Sequence, residues 1–215
     1  MENRHQVHNL IILDESGSME GIKRSIITGF NELLGSIKEI ETKFSDQEHS
    51  ISMVSFNSNK INPLHFVEPC SKINILNTEN YNPDVLTPLH DAIGYSVNKL
   101  SEYLKDKANY SVLVTILTDG EENASIEYDA VSLKKLIEKY KNNNWTFTYI
   151  GTNHDIKKAA NDLDIFNVLN FSSDSEGIVK MFEHEKVSRA KYSLDISHGI
   201  ETSDFYKKTI LKYNN

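Results

Sequence analysis

The chain has 215 residues, 39% of them hydrophobic and 25% charged, which is the composition of an ordinary globular domain. That length suits one α/β domain, and no break in pattern demands a second. A formal charge of −8 and a pI near 5.5 repel phosphate backbones, which argues against nucleic acid as a partner and favours attraction of a cation.

The N-terminal Met1-Glu2-Asn3-Arg4-His5-Gln6 leads straight into a short apolar run and lacks the basic and longer apolar regions of a signal peptide. No stretch approaches the length of a membrane span, so a soluble cytoplasmic protein is expected, with no membrane partner. Val7 to Leu13 reads as a buried strand ending at Asp14. A loop with Gly17 and Gly21 follows. From Ile22 to Ile40, apolar residues recur at spacings of three and four, the stripe of an amphipathic helix. Ile51 to Phe56 is a second strand and Leu64 to Val67 a third, joined by Asn57-Ser58-Asn59. So short a connection favours antiparallel pairing, because a parallel crossover needs about a dozen residues or more.

Residues 68 to 86 read as irregular, with one helical turn expected around Ile73 to Leu76. Within them lies Cys70, the single cysteine, which rules out an intrachain disulfide and reads as a small buried hydrophobe. Thr87-Pro88 predicts a helix start, with Thr87 as cap and the helix running to about Lys105. Ser111 to Leu117 is the strongest strand. A helix from Ala130 to Tyr140, a strand from Trp145 to Ile150, a short helix from Ile156 to Leu163, a strand from Val168 to Phe171 and a helix from Glu176 to Tyr192 complete the pattern. The alternation predicts a doubly wound, mainly parallel sheet with one antiparallel edge strand and helices on both faces. The domain is expected to span residues 1–192, with 193–215 a tail or a short docked helix.

In such sheets ligands bind at the carboxyl ends of the strands, where strand order reverses. Three polar clusters fall at element ends of this kind: Asp14-Glu15-Ser16-Gly17-Ser18, Thr87-Pro88-Leu89-His90-Asp91 and Thr118-Asp119-Gly120-Glu121-Glu122-Asn123. Each alone is an ordinary turn or helix cap. Among their side chains, the carboxylates of Asp14 and Asp119 with the hydroxyls of Ser16, Ser18 and Thr87 make an all-oxygen set that suits a hard cation such as Mg²⁺. Glu15, Glu20, Glu121 and Glu122 are expected to crowd the rim as a solvated acidic face. Asp91 is expected to accept from a metal-bound water or a loop amide, and Asn123 to cap its loop. His90 reads as a rim residue rather than a ligand, and His5, His8, His49, His65, His154, His184 and His198 show no zinc-like spacing. Trp145, Phe147 and Tyr149 read as core. Gly151-Thr152-Asn153-His154-Asp155 reads as a turn with Asp155 capping the next helix, at the same edge of the sheet.

Asp14-Glu15-Ser16-Gly17-Ser18, Thr87 and Thr118-Asp119-Gly120 together resemble the metal-ion-dependent adhesion site of the von Willebrand factor A family, and the likeness extends over about residues 7 to 192. The resemblance is greatest to small stand-alone bacterial members. It implies an intact site in which Ser16, Ser18 and Thr87 offer hydroxyls to Mg²⁺ (Mn²⁺ or Ca²⁺ being alternatives), with Asp14 and Asp119 acting directly or through water. It also implies a non-enzymatic module that binds a partner protein through a carboxylate the partner gives to the metal. In relatives the last helix moves on switching, which here would be Glu176 to Tyr192. A monomer is assumed. Two rival readings remain. One is a Mg²⁺-dependent phosphohydrolase with Asp14 as nucleophile, which would want an Asp where Ser16 stands and a lysine near Asp119, neither visible in the sequence. The other is a scaffold whose metal only ties loops together.

Overall fold

The structure, a computed structural model, describes residues 4–152 and 155–206. Six strands form one sheet among the described residues: β1 (His5–Asp14), β2 (Gln47–Asn57), β3 (Lys60–Pro69), β4 (Tyr110–Leu117), β5 (Trp145–Gly151) and β6 (Asn167–Asn170). Their order is β3-β2-β1-β4-β5-β6. All neighbours pair in parallel except β2 and β3, so the expected antiparallel edge strand is present. Pro63 sits in that edge strand, where a missing N–H is tolerated.

Alternation along the central strands divides the core in two. Leu10 and Ile12 of β1 face one side, and Ile11 and Leu13 the other. The first side is covered by α2 (Leu89–Leu104), α3 (Ala130–Lys141) and α4 (Ile156–Asp162), which pack on Val112, Val114, Ile116 and Phe147. The second is covered by α1 (Lys23–Lys43) and α5 (Ser175–Ser197). These two helices approach closely because residue 29 is glycine: a Cβ there would lie 2.0 Å from Cδ2 of Phe182.

A buried polar network lies beneath α5. Arg189 donates to Oε2 of Glu185 at 3.1 Å, to Oδ1 of Asn9 at 2.9 Å and to Oγ1 of Thr115 at 2.5 Å. The hydroxyl of Tyr206 donates to the other oxygen of Glu185. A buried ion pair persists only when its remaining hydrogen-bonding capacity is met, and here it is spread over five side chains.

Several expectations are corrected. The helical turn expected at Ile73 to Leu76 is absent, and a single 3-10 turn occurs earlier, at Cys70–Lys72. Asn31 explains this: its amide donates to the Leu76 carbonyl and its oxygen accepts the Leu76 N–H, both at 2.8 Å. Those are the groups a helical turn would have used. A second 3-10 turn, Gly17–Ile22, precedes α1. The boundary expected at 192 falls inside α5, which continues to Ser197, and Phe205 and Tyr206 pack with Val7, Leu113 and Tyr192. Residues 207–215 of the expected tail lie outside the described residues, as do Asn153 and His154. Cys70 is buried, and burial pushes its thiol up to about 12, which leaves it unreactive. Among the described residues, no helix is long and apolar enough to cross a membrane.

Candidate metal centre

Strand order reverses between β1 and β4, and Leu13 pairs with Leu117 in that ladder. The residues that follow, Asp14 and Thr118, therefore leave the sheet side by side. The Thr118 hydroxyl donates to Oδ2 of Asp14 at 2.6 Å, and the Ser16 N–H donates to Oδ1 at 2.7 Å. Asp14 has no exposed surface. Burial pushes its carboxyl up to about 6 against the opposing pull of the Thr118 and Ser16 hydrogen bonds, with a further push from the charge of Asp119. Burial also raises Asp119.

The Asp14–Ser18 loop and the β4 loop are joined at the site itself. Ser18 donates to Oδ1 of Asp119 at 2.5 Å, and the Ser16 and Ser18 hydroxyls lie 3.1 Å apart. Thr87 arrives from a third segment. It does not cap α2 as the sequence suggests: the helix starts at Leu89, Pro88 holds the cap position, and no side-chain cap bond forms. Instead Asn123 fixes Thr87. Its oxygen accepts the Thr87 N–H at 2.8 Å, and its own N–H donates to the Thr87 carbonyl at 3.2 Å. Asn123 thus braces a second loop, a stronger role than the capping expected of it.

All three segments converge on Gly120. A Cβ at that position would lie 3.1 Å from Oγ1 of Thr87, 3.4 Å from Oγ of Ser18 and 3.7 Å from Oδ2 of Asp14. A side chain at position 120 would therefore crowd these oxygens. Asp14, Ser16, Ser18, Thr87 and Asp119 are thereby brought together as oxygen donors. The set is chemically fit for a hard divalent cation: oxygens only, two carboxylates whose burial favours a compensating positive charge, and hydroxyls on short side chains. Among the described residues, no group of three or more His, Cys, Asp or Glu side chains is placed to hold a metal, so a site here depends on the hydroxyls.

The expected acidic rim is only partly present. Glu15 is fully buried and faces away from the site. Glu20 and Glu121 are exposed. Glu122 turns into its own loop, accepting from the N–H groups of His90, Ala124 and Ser125 and from the Ser125 hydroxyl. Burial pushes its carboxyl up, but those bonds outweigh it and the net shift is downward. Asp91 accepts the loop amides of Ile126, Glu127 and Tyr128, which settles it as a loop brace. His90 is half-buried on the rim beside Glu122.

Two supporting groups carry no sequence signal. The Tyr81 hydroxyl donates to the Asp14 carbonyl at 2.7 Å, and Val85, in the left-handed region at φ 58°, accepts the Gly17 N–H at 3.0 Å. A β-branched residue in that region is strained by about 1–3 kcal/mol. A cavity of about 250 Å³ opens beside the site, lined among others by Thr118, Asp119, Tyr149, Ile156 and Lys158. Lys158 and Asp119 thus line one cavity, though they are distant in sequence.

No protein-family model matches the chain, and no curated protein does. Solved structures do. The pilus adhesin SpaC from Lactobacillus rhamnosus GG, in its open conformation, superposes with a TM-score of 0.59 at 11% identity, over 89% of this chain and 30% of that one. The VWA domain of SpRpn10 gives 0.56 at 9% identity, over 84% and 95%. Proximal thread matrix protein 1 from the mussel byssus gives 0.56 at 13% identity, over 85% and 46%, so this chain spans less than half of it. At such identities the likeness concerns the fold, which is VWA-like.

Proposed function

We propose that the protein is a divalent-cation-dependent protein-binding module with an intact metal-ion-dependent adhesion site. Ser16, Ser18 and Thr87 would hold the ion through hydroxyls, with Asp14 and Asp119 as the carboxylates. Mg²⁺ suits the oxygen set best, and Mn²⁺ is an alternative. Bound there, the cation supplies a Lewis-acidic position that a partner's Asp or Glu can fill. The observation that carries this reading is the convergence on Gly120, in the β4 loop, of oxygens from two other segments far from it and from each other in sequence. The fold adds support by analogy, since one structural neighbour is a pilus adhesin.

The reading is non-catalytic. A phosphohydrolase with Asp14 as nucleophile would want an acid two positions on, and Ser16 stands there. Lys158 at the neighbouring cavity is the feature that favours the rival, and Mg²⁺-dependent phosphatase turnover would replace our reading with it.

The direct test is calorimetric titration of metal-stripped protein with Mg²⁺ and Mn²⁺, for wild type and Asp119→Ala. One-site binding that weakens or disappears in a folded Asp119→Ala variant is expected, together with partner capture that EDTA reverses. Wild-type protein that binds neither ion would refute the proposal and promote the scaffold reading.

A further inference from the structure

We propose that Glu15 is a positioning residue for the cation site. Without touching the ion, it holds the Asp14–Ser18 loop against the segment that delivers Thr87. This rests on the reading above and adds to it a residue outside the ligand set.

The chain leaves β1 extended, and Ser16 keeps φ −75° and ψ 164°. Successive side chains in extended backbone point to opposite sides. Asp14 and Ser16 therefore face the site, while Glu15 is driven into the body of the protein, where it has no exposed surface. A carboxylate there is tolerated only with partners. Its Oε1 accepts the Asn82 N–H at 2.7 Å, and its Oε2 accepts the Ser55 hydroxyl at 2.7 Å. Lys60 places its ammonium 3.8 Å from Oε2.

The main chain of the same residue continues the seam. The Glu15 N–H donates to the Phe56 carbonyl at 2.8 Å, and its carbonyl accepts the Asp84 N–H at 2.9 Å. Between those two amides stands Pro83, which has no N–H to offer. One residue thus joins the end of β1, the end of β2 and residues 82–84.

That third segment is otherwise held by loop contacts, such as Leu86 with Ser58 and Thr87 with Asn123. Residues 73–88 contain neither helix nor strand, so no ladder sets their position. Yet Thr87 comes from them, three residues after Asp84. A small hard cation demands near-octahedral oxygen at short, narrowly defined distances, so a loop that drifts loses a ligand. The Glu15 side chain supplies the bond at Asn82 that fixes where the segment begins its approach.

The test compares metal-stripped wild type, Glu15→Ala and Glu15→Gln, titrated with Mg²⁺ and Mn²⁺ at a temperature where each is folded by circular dichroism. Glu15→Ala should weaken the ion by about tenfold or more, the usual effect of losing a group that orients ligands. Glu15→Gln should stay within about threefold, because its carbonyl can still accept from Asn82 and its amide can donate to Ser55. Without metal, the amides of Asn82 and Asp84 should exchange faster in Glu15→Ala only. Wild-type affinity in Glu15→Ala, or a Glu15→Gln as weak as Glu15→Ala, would overturn the proposal while leaving the cation site standing. Failure of wild type to bind either ion would instead sink the site and this proposal with it. Should Glu15→Ala not fold, Ser55→Ala is expected to weaken Mg²⁺ several-fold, and unchanged affinity there counts against Glu15.

Discussion

Acidification should weaken the cation and strengthen the metal-free fold, and both effects trace to Asp14. Its carboxyl is held up to about 6 in the folded protein, against an ordinary value of 3.8, because burial disfavours the charged form. Between those two pH values the folded chain keeps a proton that the unfolded chain has released. Stability from this group is thus fully present below about pH 4 and is lost as pH rises through about 6. A shift of about two units corresponds to ~3 kcal/mol lost at neutral pH. A bound cation needs the ionised form, so Mg²⁺ must displace that proton at acidic pH. One pH unit below the folded value, about a tenth of the sites are ionised, and affinity falls about tenfold. The assay is Mg²⁺ titration by calorimetry at pH 7.5 and pH 5.0. It is paired with urea unfolding in EDTA of wild type and Asp14→Asn across the same range. The Asn variant removes the contributions of other carboxylates, several of which have the opposite sign. Equal Mg²⁺ affinity at the two pH values, or parallel stability profiles for wild type and variant, would refute the reasoning.

Gly120→Ala should leave a folded protein that binds Mg²⁺ at least about tenfold more weakly, because its methyl would stand among the Thr87, Ser18 and Asp14 oxygens. Calorimetry reads the affinity and thermal melting the fold; wild-type affinity would mean that those oxygens do not enclose the ion. Arg189→Met should destabilise by about 3–5 kcal/mol in urea unfolding, because it leaves the Glu185 carboxylate buried without its cation. A loss under about 1 kcal/mol would show that the Tyr206 hydroxyl alone satisfies Glu185.

The legible parts of this fold are those whose neighbours are close in sequence or whose burial is uniform. The spacing of Ile26, Phe30, Leu33 and Ile37 marks α1 because each buries one side of one helix. The run Val112 to Leu117 marks β4 because both of its faces are covered. The segment before Thr87 was not legible. Its shape depends on Asn31 and Glu15, which arrive from elsewhere in the chain, and on Tyr81 within it, whose hydroxyl reaches the Asp14 carbonyl. Glu15 itself reads as a surface charge, since acidic residues are rarely buried. Only its place between two residues that face the site, on extended backbone, marks it as pointing inward. The polar members of α5 mislead in the same way. Glu185 and Arg189 are spaced four apart, the signature of an exposed helical ion pair, yet both are buried.

That buried pair bears on how the site works. Arg189 bonds to Asn9 of β1 and Thr115 of β4, the two strands whose ends carry Asp14 and Thr118. The platform beneath the candidate ligands is therefore tied across its back by one side chain of α5. Moving that helix would require breaking both bonds and stranding a guanidinium in the core, a cost beyond what a ligand that touches only the loops readily supplies. If the proposed cation binds, adjustment is expected in the loops. In the proposed cation site, the bond to be given up would be the one between Ser18 and Asp119, since both side chains are proposed ligands. A single hydroxyl-to-carboxylate bond is a small barrier compared with repacking a helix. The arrangement describes a site whose rigid half is set by β1 and β4, and whose adjustable half is a pair of side chains already in contact.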